Sequence, residues 1–257
     1  MTQIQIADQI FDVDAIAFDK DGTLVDFNHL WGTRTKRWID QLIEVAGGSM
    51  LTRYLLCGTL GYDGENVVPD SPMAVGTMGQ LYTLAAGVLF SQGMGWHEAE
   101  VLVAQSAEIF ENPPALSELQ PTGDLGSLFA QMTAAGIQVA VNTSDNRAGT
   151  LATLDLLNIS QYVSATVCGD DGLPAKPDPT SLLSIAEQLD VSPARMLFVG
   201  DTVSDLTTGK RAGTLATVGI LGGGGNADAV RTSADVVVTT LDQFQVVGCE
   251  PVEIPNN

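Results

Sequence analysis

Residues 13–27, VDAIAFDKDGTLVDF, limit the folds open to this chain more than any other stretch. Residues 13–18 are a short apolar run, as expected of a strand buried on both faces of a sheet. The run stops abruptly at Asp19, Lys20, Asp21, Gly22 and Thr23. Carboxylates spaced i, i+2 at the end of a buried strand cost stability unless a cation or a metal offsets them. Taken alone, the stretch also reads as an ordinary polar strand-to-turn transition, since Asp and Gly are common turn residues. The residues at the ends of the other apolar runs decide between these readings.

In chain order, residues 3–6 read as a short leading strand. After Asp26 the pattern turns helical: Leu30, Trp31, Trp38, Ile39, Leu42, Ile43 and Val45 recur near helical spacing, and Gly47-Gly48 closes the run. Residues 50–56 predict a short helix, 61–72 a loop, and 73–90 and 96–110 two more helices. Beyond the linker prolines Pro113, Pro114 and Pro121 the texture alternates. Helices are expected over 124–134, 147–157, 179–189 and 203–212, with strands over 137–141, 164–168, 196–199 and 215–218 and a last one over 236–238. Such alternation indicates an α/β fold, a Rossmann-like parallel sheet with helices on both faces. The nearly pure helix between the first strand and the alternating part reads as an inserted all-α domain. The expected division is residues 1–25 with 120–257 as the core and 26–119 as the insertion. The run Gly222 to Gly225 is expected to be a flexible or close-approach loop.

Composition narrows the partners. With 31 acidic against 11 basic residues the formal net charge is −20, a surface that repels nucleic acid and anionic membrane. No nucleic-acid or membrane partner is therefore expected, and the chain reads as a monomer or homodimer. Cys57, Cys168 and Cys249 form no CxxC pair, and with His29 and His97 as the only histidines a zinc site is not expected. The N-terminal residues carry no signal-peptide pattern and the most apolar stretch, residues 82–90, is too short to span a bilayer. A cytoplasmic protein is the expectation.

In a parallel sheet of this kind ligands bind beyond the carboxyl ends of the strands, near the switch in strand order. The first strand ends in Asp19 and Asp21, and the strand 137–141 in Asn142, Thr143 and Ser144. Past the next strand comes Lys176, one of only four lysines in the chain, and past 196–199 come Gly200-Asp201 and then Asp205. Individually these residues have plain explanations. Thr143 alone reads as a strand-end hydroxyl on backbone, Lys176 as a solvated loop charge, and Asp205 as a carboxylate at a helix N-terminus.

Together they resemble the haloacid dehalogenase superfamily, in particular its phosphatase branch. The first motif of that family, DxDGT, is matched by Asp19 to Thr23. The strand-end Thr is matched by Thr143, the Lys-Pro motif by Lys176-Pro177, and GDxxxD by Gly200, Asp201 and Asp205. The resemblance implies an Mg²⁺-dependent phosphomonoesterase acting on a small phosphorylated metabolite, of phosphoglycolate type. Asp19 would be the nucleophile and Asp21 the general acid and base. Metal would be held by Asp19, the Asp21 carbonyl and Asp201, with Asp205 acting through water or by orienting Lys176. Thr143, Ser144 and Lys176 would hold the phosphoryl group. Lys20 should point to the opposite side from the two aspartates and be structural.

The second aspartate argues against the dehalogenating and phosphonate-cleaving branches, which lack an acid there. About 118 residues separate Thr23 from Asn142, so the insertion falls between the first two motifs, like the cap of the phosphoglycolate phosphatase and β-phosphoglucomutase branch. Phe27, His29, Trp31 and Arg34 would lie at the core-to-cap crossing. Arg34 reads either as a contact to a second anionic group of the substrate or as a surface arginine, and Trp31 as core. A phosphomutase or phosphotransferase shares the same motifs, and a non-catalytic phospho-ligand binder is the reading from another class.

Overall fold

The computed structural model describes residues 2–247; Cys249 lies outside the described residues. The chain opens with strands β1 (Gln3–Ile6), β2 (Gln9–Asp12) and β3 (Ala15–Phe18). Next comes a helical stretch: a π-turn at Asn28–Gly32, then α1 (Thr33–Val45), α2 (Met50–Leu60), α3 (Pro72–Val75), α4 (Met78–Ser91), α5 (Trp96–Ser106) and α6 (Glu108–Glu111). The alternating part runs α7 (Leu125–Ala134), β4 (Gln138–Asn142), α8 (Arg147–Leu156), β5 (Val163–Val167), α9 (Thr180–Leu189), β6 (Met196–Gly200), α10 (Val203–Ala212), β7 (Ala216–Ile220), α11 (Ala227–Ser233), β8 (Val236–Val238) and β9 (Phe244–Val246).

Contacts divide the chain into two units, one of the residues up to Asp26 with those from Pro114 onward, the other Phe27–Pro113. In the first, six parallel strands lie in the order β5-β4-β3-β6-β7-β8. Strand order reverses at β3, which pairs with β4 on one side and β6 on the other. This is the α/β, Rossmann-like core that the alternating pattern and the family resemblance implied.

Side chains of the central strands divide by the two-residue period of an extended chain. Ile16, Phe18, Val139, Val141, Leu197 and Val199 face one way, against Leu125, Leu128, Phe129 and Met132 of α7 and Ile4 and Ile6 of β1. Ala15, Ala17, Ala140, Met196 and Phe198 face the other, against Leu182, Ile185, Ala186 and Leu189 of α9. The small alanines on that face let α9 approach the sheet closely, while the aromatic pair Phe18–Phe129, 5.2 Å between ring centres, fills the opposite face.

The structure departs from the sequence reading at several places. The strand 236–238 is not the last, because Phe244–Val246 adds β9 to an antiparallel sheet ordered β2-β1-β9. Neither β2 nor α11 is marked by a long periodic run. The helix expected over 73–90 breaks at Gly76, which is extended, because Thr77 and Gln80 close a capping box that starts α4. The helix over 96–110 likewise divides at Ala107. Conversely, α2 runs on to Leu60 until Gly61 takes the left-handed conformation.

The helical unit has its own core, in which Trp38 is buried, donates Nε1 to Ser106 Oγ at 2.9 Å and meets Phe110 edge-on at 5.2 Å. Trp31 stacks between Phe27 and Phe110, as a core residue would.

Phe129→Ala should remove the ring that Phe18 packs against and leave a cavity between α7 and the sheet. A loss of about 3–5 kcal/mol is expected, read as a lower midpoint in urea denaturation. An unchanged midpoint would contradict the packing described.

Candidate active site

The first and fourth motifs meet because β3 and β6 are neighbours at the switch in strand order, with Phe18 level with Val199. The chain leaves β3 still tied to β6, Asp19 N–H donating to the Val199 carbonyl at 2.8 Å. It then turns sharply around one atom. The Lys20 carbonyl accepts from the amides of Thr23, Leu24 and Val25 at 3.3, 2.8 and 3.2 Å. That turn needs Gly22 at φ +82°, and a side chain there would also collide with the Asp201 carboxylate, 2.3 Å from where its Cβ would lie.

Lys176, on the loop before α9, carries the central contact. Its Nζ lies 2.6 Å from Asp19 Oδ1 and 2.7 Å from Asp205 Oδ1, and 5.3 Å from the centre of the Phe198 ring. The side chains of all three charged residues are less than a tenth exposed. Asp205 does two jobs at once: its Oδ2 accepts from the Thr202 hydroxyl and amide, while Thr202 caps α10 in return. Its place at a helix N-terminus and its pairing with Lys176 are therefore compatible.

Asp201 ends β6 and is equally buried, 2% exposed. Its Oδ2 accepts from the Gly224 amide at 2.7 Å, and the Thr23 hydroxyl lies 3.4 Å from Oδ1. The glycine run is a close-approach loop: a Cβ on Gly223 would lie 2.1 Å from Asp201 Oδ2. Only a residue without a side chain lets this loop press onto the carboxylate and present an amide to it.

Asp19, Asp201 and Asp205 form a buried cluster whose oxygens lie within 4.8 Å of one another. Three carboxylates against one ammonium leave excess negative charge away from water. Burial, opposed by Lys176 and reinforced by Asp205 and Asp21, pushes the Asp19 carboxyl up to about 7. Burial and the charges of Asp19 and Asp205 push Asp201 well above the ordinary carboxylate range. Burial pulls Lys176 down, but the Asp19 and Asp205 charges outweigh it and hold the ammonium above its usual range. Hard oxygen donors gathered this closely suit a divalent cation such as Mg²⁺.

The other expected residues are more scattered. Thr143 comes directly after β4 and is buried; its amide donates to the Val167 carbonyl and its Oγ1 accepts from the Asp145 amide at 3.1 Å. Ser144, next along, is exposed. Asn142 donates Nδ2 to Ser181 at 3.0 Å, while its buried Oδ1 has no hydrogen-bond partner among the described residues. Arg34 belongs to the helical unit and is buried, not a surface arginine, with an Nη1 bond to the Asn112 carbonyl.

Lys20 corrects the sequence reading. It does not point away from the aspartates: its buried Nζ lies 2.5 Å from Asp21 Oδ1 and 3.0 Å from Asp145 Oδ2. Strand alternation does not govern it, because β3 ends at Phe18 and the chain is already turning. Asp145 was not singled out by the sequence; its acid one residue past Thr143-Ser144 was the available signal.

Residues 13–213 match the family model of haloacid dehalogenase-like hydrolases, and the chain belongs to that family. It is 29% identical over 230 residues to a phosphoglycolate phosphatase of Yersinia pestis, covering 86% of each chain. A phosphoglycolate phosphatase of Escherichia coli K12 is 33% identical over 121 residues, 47% of this chain and 46% of that one. Among crystal structures, a HAD family hydrolase from Deinococcus radiodurans with bound phosphate and sodium superposes with a TM-score of 0.60 at 20% identity. That match covers 89% of this chain and 92% of the other and shows the shared fold.

A folded state that raises a carboxyl pKa is favoured while the group is protonated. The stability contributed by Asp19 is thus intact below its unfolded value of 3.8 and is lost as pH rises through about 7; Asp201 shifts in the same direction. In chelator, Asp201→Asn should therefore raise the melting temperature above wild type at pH 8, with a smaller gain at pH 5. Thermal denaturation at the two pH values checks this. A variant less stable than wild type at pH 8 would contradict the charge balance.

Proposed function

We propose that this chain is a cytoplasmic, Mg²⁺-dependent phosphomonoesterase that hydrolyses a small phosphorylated metabolite of phosphoglycolate type. The observation that carries the reading is the Lys176 ammonium held between Asp19 and Asp205, beside Asp201, at the carboxyl ends of β3 and β6. Its support from relatives is the Yersinia pestis match, which extends over 86% of both chains.

Lys176 fixes one oxygen of Asp19, so the other oxygen is the attacking atom. It forms a bond to phosphorus as the bond to the ester oxygen breaks, giving an aspartyl phosphate on Asp19. Asp21 gives its proton to the departing oxygen, then removes one from the water that attacks the phosphorus as the bond from Asp19 to phosphorus breaks, which releases inorganic phosphate and restores the Asp19 carboxylate. Lys176 and Thr143 hold the phosphoryl oxygens while charge develops, with Ser144 at the same strand end. Asp19, Asp201 and the Asp21 carbonyl would hold Mg²⁺, with Asp205 behind Lys176. The ion, when bound, would neutralise charge on the phosphoryl oxygens and offset the surrounding carboxylates.

Substrate choice is assigned to the helical unit, Phe27–Pro113, acting as a cap with Arg34 as its candidate anion contact. The core motifs are common to several chemistries of the family and cannot themselves distinguish substrates.

Incubation with Mg²⁺ and a panel of phosphate monoesters, phosphoglycolate included, should release inorganic phosphate. No release from any ester would end the reading, and sugar phosphate isomers appearing faster than phosphate would establish a mutase instead.

Asp19→Asn should abolish turnover and leave no trappable phosphoenzyme. Asp21→Asn should lose on the order of 10²–10⁴-fold in rate while a labelled aspartyl phosphate accumulates, most visibly with p-nitrophenyl phosphate. Label on Asp21, or an active Asp19→Asn enzyme, would refute the roles assigned.

EDTA should stop phosphate release and Mg²⁺ restore it. Gly223→Ala, by forcing the Asp201 carboxylate out of place, should weaken Mn²⁺ binding at least about tenfold, measured by electron paramagnetic resonance. Full activity in chelator, or unchanged Mn²⁺ affinity in the variant, would remove the metal assignment from these residues.

A further inference from the structure

Lys20 has no part in the chemistry proposed above, yet it is 1% exposed and touches the carboxylate assigned as general acid and base. Taking an ammonium out of water costs several kcal/mol unless well-placed charges compensate. Here they do: Asp21 Oδ1 at 2.5 Å and Asp145 Oδ2 at 3.0 Å.

Both ends of this bridge are fixed. The Lys20 backbone is the pivot of the turn after β3, since its carbonyl gathers the amides of Thr23, Leu24 and Val25. Asp145 is fixed as firmly. Its amide donates to Thr143 Oγ1, its Oδ1 accepts from the Asn146 amide, and its carbonyl accepts from the Gly169 amide at 2.8 Å. The ammonium therefore spans from the nucleophile loop to the loop that presents Thr143.

We infer that Lys20 is a positioning residue: its buried ammonium sets the Asp21 carboxylate against the Thr143 loop through Asp145, so that the acid–base group and the phosphate-holding loop keep one geometry. This inference rests on the phosphatase reading and deepens it. Lys20 makes no contact with substrate; it acts through Asp21. A carboxylate one rotamer away from the departing oxygen transfers its proton poorly, and misplacement by about 1 Å can cost on the order of 10²-fold.

A purely structural ion pair and a positioning one are distinguished by the leaving group. Expulsion of p-nitrophenolate needs little protonation, whereas an alkyl oxygen needs Asp21 in place. The ratio of kcat/KM for p-nitrophenyl phosphate to that for phosphoglycolate reads this step, because it reports events up to departure of the leaving group.

Lys20→Met should raise that ratio by roughly 10–100-fold. Lys20→Arg, which keeps the charge, should bring it part of the way back. Lys20→Met leaves two unneutralised carboxylates, so a second variant, Lys20→Met with Asp145→Asn, removes one of them. It should regain melting temperature without regaining the wild-type ratio.

A ratio unchanged in both Met variants, with both esters slowed equally, would make Lys20 a structural ion and overturn the inference alone. Recovery of the wild-type ratio in the double variant would also overturn it, because neutralisation rather than positioning would then be the role. A wild-type protein inactive on every phosphate ester of the panel would overturn the phosphatase reading, and the inference with it.

Discussion

The contact on which the site depends is the Lys176 ammonium between Asp19 and Asp205, 2.6 and 2.7 Å away. Without it three carboxylates would stand together out of water, and at least some would have to be protonated to stay there. With it one negative charge is offset and the rest remain. Burial, reinforced by this incomplete neutralisation, pushes Asp19 and Asp201 upward, while the neighbouring carboxylates hold Lys176 charged. Uncompensated negative charge among hard oxygen donors suits a cation, and under the phosphatase reading proposed above a phosphate would be accepted only with that cation. On that reading, affinity for the anion would belong to the loaded site rather than to the carboxylates.

The fold supplies the rigidity this arrangement needs. Asp19 and Asp201 leave adjacent parallel strands whose registers are fixed by the backbone ladder and by packing on both faces. Beyond the strands, close packing of backbone takes over. The turn around the Lys20 carbonyl and the Gly223 approach to Asp201 leave the carboxylates few rotamers to visit. Asp205 is tied into the capping box of α10, so the helix start and the ion pair stabilise one another. Preorganisation of this kind is where an electrostatic site gains most, since the groups need not reorder as charge moves.

Much of this was legible in the sequence, for identifiable reasons. Buried parallel strands read as short apolar runs, and β3, β4 and β6 are such runs with chemistry at their ends, so the sheet and its motif residues could be located together. Short elements that carry no periodicity of their own were not legible. β2 and β9 exist because β1 pairs with each of them, and α11 has only seven residues. The break at Gly76 needed the competition between helix continuation and the Thr77–Gln80 cap, which a hydrophobic pattern does not display. Lys20 was misread because alternation was carried two residues past the end of its strand. Asp145 had only its place just past Thr143-Ser144 as a signal, because its partner lies 125 positions away in sequence, a pairing only the β3–β4 register creates.

The scarcity of cations in this chain gives the placement of each lysine its weight. The chain has four lysines against 31 acidic residues, and two of the four, Lys20 and Lys176, have side chains buried at the loops after β3 and β5. Lys36, by contrast, makes an exposed i, i+4 pair with Asp40. On an acidic surface, exposed lysines do little to attract an anion, because neighbouring carboxylates and salt screen them. A buried lysine is screened far less, and its charge acts at short range on the few groups it touches. Two such charges, one on the Asp19 carboxylate and one on the Asp21 carboxylate, give adjacent acids different electrostatic surroundings. Lys176 shares its charge between two buried carboxylates beside a third, whereas Lys20 joins Asp21 to a partner outside that cluster.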